Sequence, residues 1–328
     1  MIEKIEIKQY RKLKDITLDF SKNINVISGA NGTCKTSLLH LISNSFQAVN
    51  KNCKWVKDKV CLDIINKINN AVNPKVESLT KGDKQYNDPA WGVKGALFLI
   101  HYYKKSILEF RRHNSKKNNR YAVKPFYRPG TKDSLPFLPV IYLGLSRLLP
   151  YGEFQNDEAI ENIQKELPAE YQSEIINLYE QLTRISILSL SAQKMGDVKT
   201  RTDFETKNNG MDSNTISAGE DNIFIILTAL ISLKYYFQSI KNAKPVESVL
   251  LIDELDATLH PSLQIKMQEL FSDFSQKYKM QIFFTTHSLS LIESALSRKD
   301  NVTYFIDNID YVSVMENPDI YKIKMNLL

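Results

Sequence analysis

The chain has 328 residues, of which 43% are hydrophobic, enough for one large domain or two ordinary ones with a sizeable core. Its formal charge of +6 is the difference between 43 basic and 37 acidic residues, so the surface is only mildly basic, which permits nucleic acid as a partner without indicating it. No apolar run reaches the ~18–20 residues of a membrane span, and no signal peptide or CxxC pair occurs. We therefore expect a cytoplasmic protein with no membrane partner, zinc or disulfide.

The first predicted elements are two strands. Apolar and polar residues alternate over 2–8 and again over 16–20, as in half-buried strands. The polar stretch from Gln9 to Asp15 separates them. The chain is therefore predicted to begin with a β-hairpin or meander.

A phosphate-binding turn is predicted next. The β-branched run 24–28 leads into a Gly-rich turn at 29–36, and 37–42 has the pattern of a helix. Such a turn directs backbone N–H groups at phosphate oxygens, while a lysine and a hydroxyl, here Lys35 and Thr36, meet the terminal phosphates and Mg²⁺. The predicted nucleotide-binding residues are Gly29, Asn31, Gly32, Thr33, Cys34, Lys35, Thr36 and Ser37.

One position in this turn departs from the usual pattern. Cys34 occupies the place of the glycine that normally precedes the lysine, and its side chain could crowd the phosphates. The alternative interpretation of 29–36 is an ordinary Gly/Asn turn in front of a helix.

The region from about 50 to 210 has a different pattern. Apolar positions recur at helical spacing over 92–110 and 157–190, and polar, Lys/Asn-rich segments occupy 111–124 and 193–214. We predict a largely helical insertion at 51–209 between two parts of one core, 1–50 and 210–328. Within it, 138–144 has the pattern of a buried strand that returns to the core sheet.

A basic run also lies in this insertion. It is most often a solvated face, and otherwise it could follow a nucleic-acid backbone. Its members are Lys104, Lys105, Arg111, Arg112, Lys116, Lys117 and Arg120.

The last third alternates helices and strands. Helices are predicted over 219–238 and 261–277, and strands over 248–252, 281–285 and 302–306. This alternation predicts an α/β fold with a mostly parallel sheet.

Two of these strands end in residues suited to catalysis. The run from Val249 to Glu254 is an apolar strand ending in two carboxylates, at the sheet edge where ligands of open α/β folds bind. Asp253 would hold Mg²⁺ through water, and Glu254 would orient the attacking water. His287 closely follows the strand predicted at 281–285 and could reach the terminal phosphate from this neighbouring strand. In the alternative interpretation the acids only end a strand and cap a helix, and the histidine is structural.

The segment Ser217-Ala218-Gly219-Glu220 precedes an apolar helix. Its hydroxyl, backbone N–H groups and positive helix end suit a phosphate. A serine followed three residues later by glutamate is also a plain helix cap.

Taken together, GANGTCKTS, SAGE, LLIDELDATLHP and FFTTHS, in this order, resemble the ABC-type ATPase heads of the SMC, RecF and OLD group. The resemblance implies an ABC-type P-loop head with an N-terminal antiparallel β part, and ATP with Mg²⁺ as ligands. It implies a phosphate contact for Arg11. In such heads two chains enclose ATP head to head, so Ser217, Gly219 and Glu220 would serve a partner's nucleotide and Asp256 would lie at that interface.

A narrower resemblance indicates a biological role. The GTCKTS-type loop and the Leu-Gly-Leu-Ser-Arg-Leu segment at 143–148 are most similar to PtuA, the ATPase of Septu anti-phage systems and of some retrons. This implies a sensor or scaffold that regulates an HNH nuclease of the PtuB kind, and in retrons a reverse transcriptase with its RNA–DNA product.

Three alternatives remain. One is a DNA-binding repair ATPase of the RecF or SMC kind, although 50–210 shows no sustained heptad. Another is an OLD-like nuclease, although Asp307 and Asp310 do not have the spacing of its Toprim metal ligands. The resemblance also argues against a subunit of a membrane transporter.

Overall fold

The structure is a computed structural model that describes residues 1–73, 88–103, 107–113, 122–130, 133–145, 167–185, 187–195, 199–206, 218–240 and 247–327. Its strands are β1 Ile2–Tyr10, β2 Leu13–Asp19, β3 Ile24–Gly29, β4 Ala96–Tyr102, β5 Leu108–Arg112, β6 Val123–Phe126, β7 Val140–Leu143, β8 Ile187–Met195, β9 Lys199–Thr206, β10 Ser248–Ile252, β11 Met280–Thr285, β12 Asn301–Asp307 and β13 Val312–Val314.

Helices alternate with these strands mainly in the last third of the chain. They are α1 Lys35–Ser43, α2 Lys59–Val72, α3 Ala169–Thr183, α4 Ala218–Ser239, α5 Pro261–Tyr278, α6 Leu289–Ser297 and α7 Ile320–Asn326. None of the helices in the described ranges is long and apolar enough to span a bilayer.

One large mixed sheet organises the fold, with the strand order β6-β5-β4-β1-β2-β13-β12-β3-β11-β10-β7. Its parallel half runs from β12 through β3, β11 and β10 to β7. Every residue of β3, β10 and β11 is buried, as expected for strands covered on both faces. The parallel sheet predicted from the last third, and the returning strand predicted at 138–144, are confirmed.

Alternate residues of these strands enter two hydrophobic cores. On one face Val26, Leu250 and Ile282 pack with α2, α3, α4 and α5. On the other face Ile27, Leu251 and Phe283 pack with α1 and with the antiparallel strands. The sheet is therefore a central layer whose carboxyl edge is held rigidly between two cores.

The antiparallel half of the sheet begins with the predicted hairpin. β1 pairs with β2 along its length, with only Arg11 and Lys12 between them. β4 pairs with the other edge of β1, and β5 and β6 extend the sheet outward.

The helix predicted over 92–110 is therefore wrong, because this segment contains β4 and β5. The apolar residues of this segment fit the spacing of a helix and also that of a strand. Pairing with β1, in which Ile5 lies opposite Ile100, selects the strand. Phe98 then stacks on Phe110 at a centroid distance of 4.6 Å. The polar segment predicted over 193–214 likewise contains β9, which forms a hairpin with β8. The boundary between core and insertion stays a prediction.

Candidate functional site

The turn at 29–36 joins the carboxyl end of β3 to α1 through three residues with positive φ angles. Gly29 has a φ of 143°, and a Cβ there would lie 2.5 Å from the carbonyl oxygen of Phe305 on the neighbouring strand. Gly32 has a φ of 78° and Cys34 one of 64°, both in the left-handed region. The turn is also braced by Thr33, whose hydroxyl donates to the Ala30 carbonyl at 2.8 Å, while Asn31 is exposed.

Lys35, the first residue of α1, is folded back into this turn. Its side chain is only 7% exposed, and Nζ donates to the carbonyl oxygens of Gly29 and Ala30, both at 2.9 Å. Burial lowers the pKa of Lys35, and three carboxylates act in the opposite direction, those of Glu254, Asp253 and Asp256. The turn thus surrounds a cationic group whose hydrogen-bond partners are neutral carbonyls.

Asp253 is the centre of a buried polar set at the carboxyl edge of the sheet. One carboxylate oxygen accepts from the Thr36 hydroxyl at 2.8 Å, and the other accepts from the Thr285 hydroxyl at 2.7 Å. The backbone N–H of Asp253 donates to Leu143 on β7 at 2.9 Å. Residues from α1, β10 and β11 therefore place three oxygen-bearing side chains together.

Glu254 follows with a left-handed backbone, at a φ of 49°. Its N–H donates to the hydroxyl of Thr285 at 2.7 Å. Asp253 is buried and extends the line of β10, whereas Glu254 is half-buried with a left-handed backbone, so the two adjacent carboxylates lie in different environments.

His287 and Asp256 lie one step further along the same edge. The backbone N–H of His287 points at the Asp256 carboxylate, at 3.2 and 3.3 Å from its two oxygens. The histidine is exposed. Asp256 therefore anchors the backbone that presents His287.

Arg11 approaches the site from the turn between β1 and β2. Its Nη1 donates to the hydroxyl of Ser37 at 3.0 Å, one residue beyond Thr36. Burial raises the pKa of the neighbouring Tyr10, while Arg11 acts to lower it and Cys34 to raise it. The antiparallel half of the sheet thus contributes one wall of the site.

Other predicted residues are not brought into this set. Ser217 lies outside the described residues, as does the side chain of Glu220, and Gly219 is in the first turn of α4. That turn lies beside the segment after Glu254, since Asn222 Nδ2 donates to the Ala257 carbonyl at 3.3 Å.

Of the basic run, only Arg111 and Arg112 are described, and both are paired. Arg111 contacts Glu109 and the ring of Phe126, and Arg112 pairs with Asp88.

Sequence reasoning missed three residues next to Asp253. Thr285 was within a quoted motif, and the signal that could have identified it is a hydroxyl in an otherwise apolar strand. Tyr142 Oη lies 3.5 Å from the Asp253 carboxylate, and His40 Nε2 lies 3.0 Å from Tyr142 Oη. These two had no sequence signal, because α1 and β7 are about a hundred residues apart.

Comparison with known proteins gave one family and a set of structures. A family described as AAA ATPase domain matches residues 1–126 and 152–292. No curated protein matches the chain.

Among the solved structures, an SMC head bound to the C-winged helix domain of ScpA is similar over 98% of this chain and 99% of that chain, with 13% identity and a TM-score of 0.58. An SMC head with an extended coiled coil, bound to the C-terminal domain of ScpA and derived from Pyrococcus furiosus, is similar over 99% of both chains, with 13% identity and a TM-score of 0.50. At these identities the likeness concerns the fold alone.

Proposed function

Because the chain belongs to the AAA ATPase domain family, we propose that it binds and hydrolyses ATP with Mg²⁺ at the carboxyl edge of its sheet. The supporting observation is the contact between Thr36 on the helix after the phosphate turn and Asp253 at the end of β10, beside the buried Lys35 amine. The predicted class of fold, an ABC-type P-loop head, is confirmed by the likeness to SMC heads.

The residues present fit these ligands. Among the described residues, the hydrogen-bond partners of Lys35 Nζ are two neutral carbonyls, which phosphate oxygens would replace with charge-assisted bonds. Thr36 and Asp253 offer the hydroxyl and carboxylate oxygens that Mg²⁺ prefers. When bound with ATP, the ion would neutralise charge on the terminal phosphates. The N–H groups at the start of α1 would receive the phosphates themselves.

Glu254 and His287 are the proposed catalytic residues. Glu254 would orient the attacking water, and its left-handed backbone is fixed by the bond from its N–H to the Thr285 hydroxyl. His287 would contact the terminal phosphate from the next strand. Arg11 and Ser37, which are bonded to each other, would form the outer side of the phosphate site.

The active unit in this proposal is a dimer with ATP between two heads. The resemblance assigns Ser217, Gly219 and Glu220 to the partner's nucleotide, and Asp256 to the interface. The position of His287 and Asp256 at an accessible edge supports this arrangement.

The biological role we propose is a cytoplasmic sensor or scaffold in anti-phage defence. The resemblance of two segments to PtuA supports this role. It implies an HNH nuclease as the expected partner, with nucleic acid or a reverse transcriptase as further candidates. Purification from the native operon, followed by mass spectrometry and nucleic-acid staining, tests this role. Absence of a nuclease among the specifically retained proteins would count against it.

ATP binding is tested by calorimetry on Lys35→Ala, with Lys277→Ala as the control. Lys277 is an exposed lysine on α5 whose pair with Asp273 does not involve the site. Lys35→Ala should lose binding and Lys277→Ala should retain it. Equal binding by both variants would refute the phosphate turn.

Hydrolysis and dimerisation are tested together with Glu254→Gln. This variant should bind ATP, fail to hydrolyse it, and show the strongest ATP-dependent increase in mass by light scattering, because the nucleotide persists between the heads. A mixture of Lys35→Ala and Ser217→Arg should regain activity if the site forms between chains. Activity no higher than the sum of the two variants would favour a site within one chain.

A further inference from the structure

A tryptophan is displayed on a short turn close to the phosphate site. Trp91 is 84% exposed, although the turn around it, residues 88–93, is well ordered by hydrogen bonds. The Val93 N–H donates to the Ala90 carbonyl at 3.2 Å, and Ala90 itself is fully buried. An aromatic side chain of this size usually buries much of its surface, so its exposure on a fixed turn calls for a binding role.

The turn is held in place by a half-buried arginine on the strand β5. Arg112 on β5 pairs with the Asp88 carboxylate at 2.8 Å and donates to the carbonyl oxygens of Ala90 at 2.5 Å and Val93 at 3.2 Å. These contacts fix both ends of the turn. Trp91 is therefore presented on a preorganised support, which reduces the entropy cost of using it as a contact surface.

The sheet places this turn at the same edge as the phosphate turn. β1 is antiparallel to β2, β2 is parallel to β13, β13 is antiparallel to β12, and β12 is parallel to β3. β1 therefore runs in the same direction as β3. The carboxyl ends of these two strands therefore point the same way. The turn at 88–93 precedes the antiparallel β4, so it lies at this edge as well.

Arg11 links the two turns directly. Its backbone N–H donates to the Pro89 carbonyl at 2.6 Å, and its side chain bonds Ser37 at the start of α1. A ligand whose phosphates bind at 29–36 and whose other end extends over Arg11 would therefore meet the side of the molecule that carries Trp91.

We propose that Trp91 is the aromatic surface on which the base of the bound nucleotide stacks. This inference rests on the proposed function, since it assigns the base end of the same ligand. An exposed indole provides a flat apolar face for a purine, and stacking of this kind does not depend on hydrogen-bond readout. Trp91 would strengthen binding of a nucleotide without contributing to binding of phosphate alone.

The test compares ATP with inorganic tripolyphosphate, which carries the same chain of phosphates but no base. Binding of each to the parent, Trp91→Ala and Trp91→Phe is measured by calorimetry at protein concentrations at which the chain is monomeric. Tyr321→Ala is the control, because Tyr321 is an equally exposed aromatic residue, 79%, on α7. Substitution of either exposed side chain leaves the cores intact.

Trp91→Ala should weaken ATP binding by about 10-fold or more, as expected for loss of one base–aromatic stack, and Trp91→Phe should recover most of it. Tripolyphosphate affinity should stay within about two-fold of the parent, since it lacks the base. Tyr321→Ala should behave as the parent with both ligands. In addition, ATP should quench a fluorescence component that the Trp91→Phe variant lacks.

Three results would overturn the inference. Unchanged ATP affinity in Trp91→Ala would show that the base lies elsewhere, and an equal loss for ATP and tripolyphosphate would show that the substitution disturbs the phosphate turn. A loss seen only at concentrations where the chain self-associates would place Trp91 between two copies. Failure of the parent to bind either ligand would instead refute the proposed function, and this inference with it.

Discussion

Replacement of Thr285 by valine is the most informative test of the site, because one hydroxyl there contacts both the proposed metal ligand Asp253 and the proposed catalytic residue Glu254. It donates to the Asp253 carboxylate at 2.7 Å and accepts the Glu254 N–H at 2.7 Å. Thr285 is fully buried, and valine has nearly the same shape. The substitution therefore removes hydrogen bonds without creating a cavity.

The expected loss of folding free energy follows from the two hydrogen bonds that the Thr285 hydroxyl makes. Loss of a hydrogen bond to a charged group costs about 1.5–3 kcal/mol, and leaving a buried N–H without a partner costs about 1–3 kcal/mol. Partial relaxation reduces the sum, so the free energy of unfolding should fall by roughly 3 kcal/mol. Glu254 should also lose the contact that supports its left-handed backbone, and ATP hydrolysis should slow by about 10-fold or more, for which 1.4 kcal/mol suffices.

The assays are urea unfolding and steady-state ATP hydrolysis, with Thr286→Val as the matched control. Thr286 is equally buried and its hydroxyl accepts only the Ser288 N–H, at 3.0 Å, among the contacts described. Thr286→Val should lose about 1 kcal/mol of stability and keep most of its activity. If Thr285→Val unfolds at the parent's urea concentration and hydrolyses ATP at the parent's rate, the assignment of this hydroxyl is refuted.

Two further predictions concern stability. Cys34→Gly should raise the free energy of unfolding by about 0.5–1 kcal/mol, because glycine relieves the left-handed φ of 64° at a modest entropy cost, and lower stability in urea unfolding would contradict this. Burial lowers the pKa of His40 to about 4. As the pH falls, His40 is therefore protonated in the unfolded chain before it is protonated in the folded protein. Stability should therefore decline from pH 6.5 towards pH 4, by up to about 3 kcal/mol. His40→Gln should flatten this slope and the exposed His113→Gln should not; equal slopes would refute the assignment.

The motif-bearing parts of the fold were predictable because their signals are local. The buried strands before Gly29 and Asp253 are short apolar runs, and the residues after them are those that a phosphate and Mg²⁺ require. The five elements predicted in the last third, α4, β10, α5, β11 and β12, begin and end within about two residues of their predicted bounds, while α6, β13 and α7 were not predicted. Local patterns sufficed for β10 and β11 because every residue of these two strands is buried, which leaves a continuous apolar run in the sequence.

The antiparallel half was not predictable in the same way. The residues from Ala96 to Tyr102 have an apolar spacing that fits a helix or a strand, and only the free edge of β1 selects the strand. The polar composition of 111–124 and 193–214 predicts loops, yet the first segment overlaps β6 and the second contains β9. Strand pairing depends on a partner far away in the chain, which no window of sequence contains.

The sequence by itself therefore determined the predicted phosphate turn, the acidic strand end and the presence of the parallel strands, since these depend on neighbouring residues, whereas the order of those strands in the sheet came from the tertiary structure. Only the tertiary structure decided which side chains surround them. Thr36 reaches Asp253 across 217 positions, and the turn that carries Trp91 is bonded to Arg11 through the Pro89 carbonyl. The physical reason is that burial and hydrogen bonding act through space, so residues with no local signal acquire their roles from what the sheet places next to them.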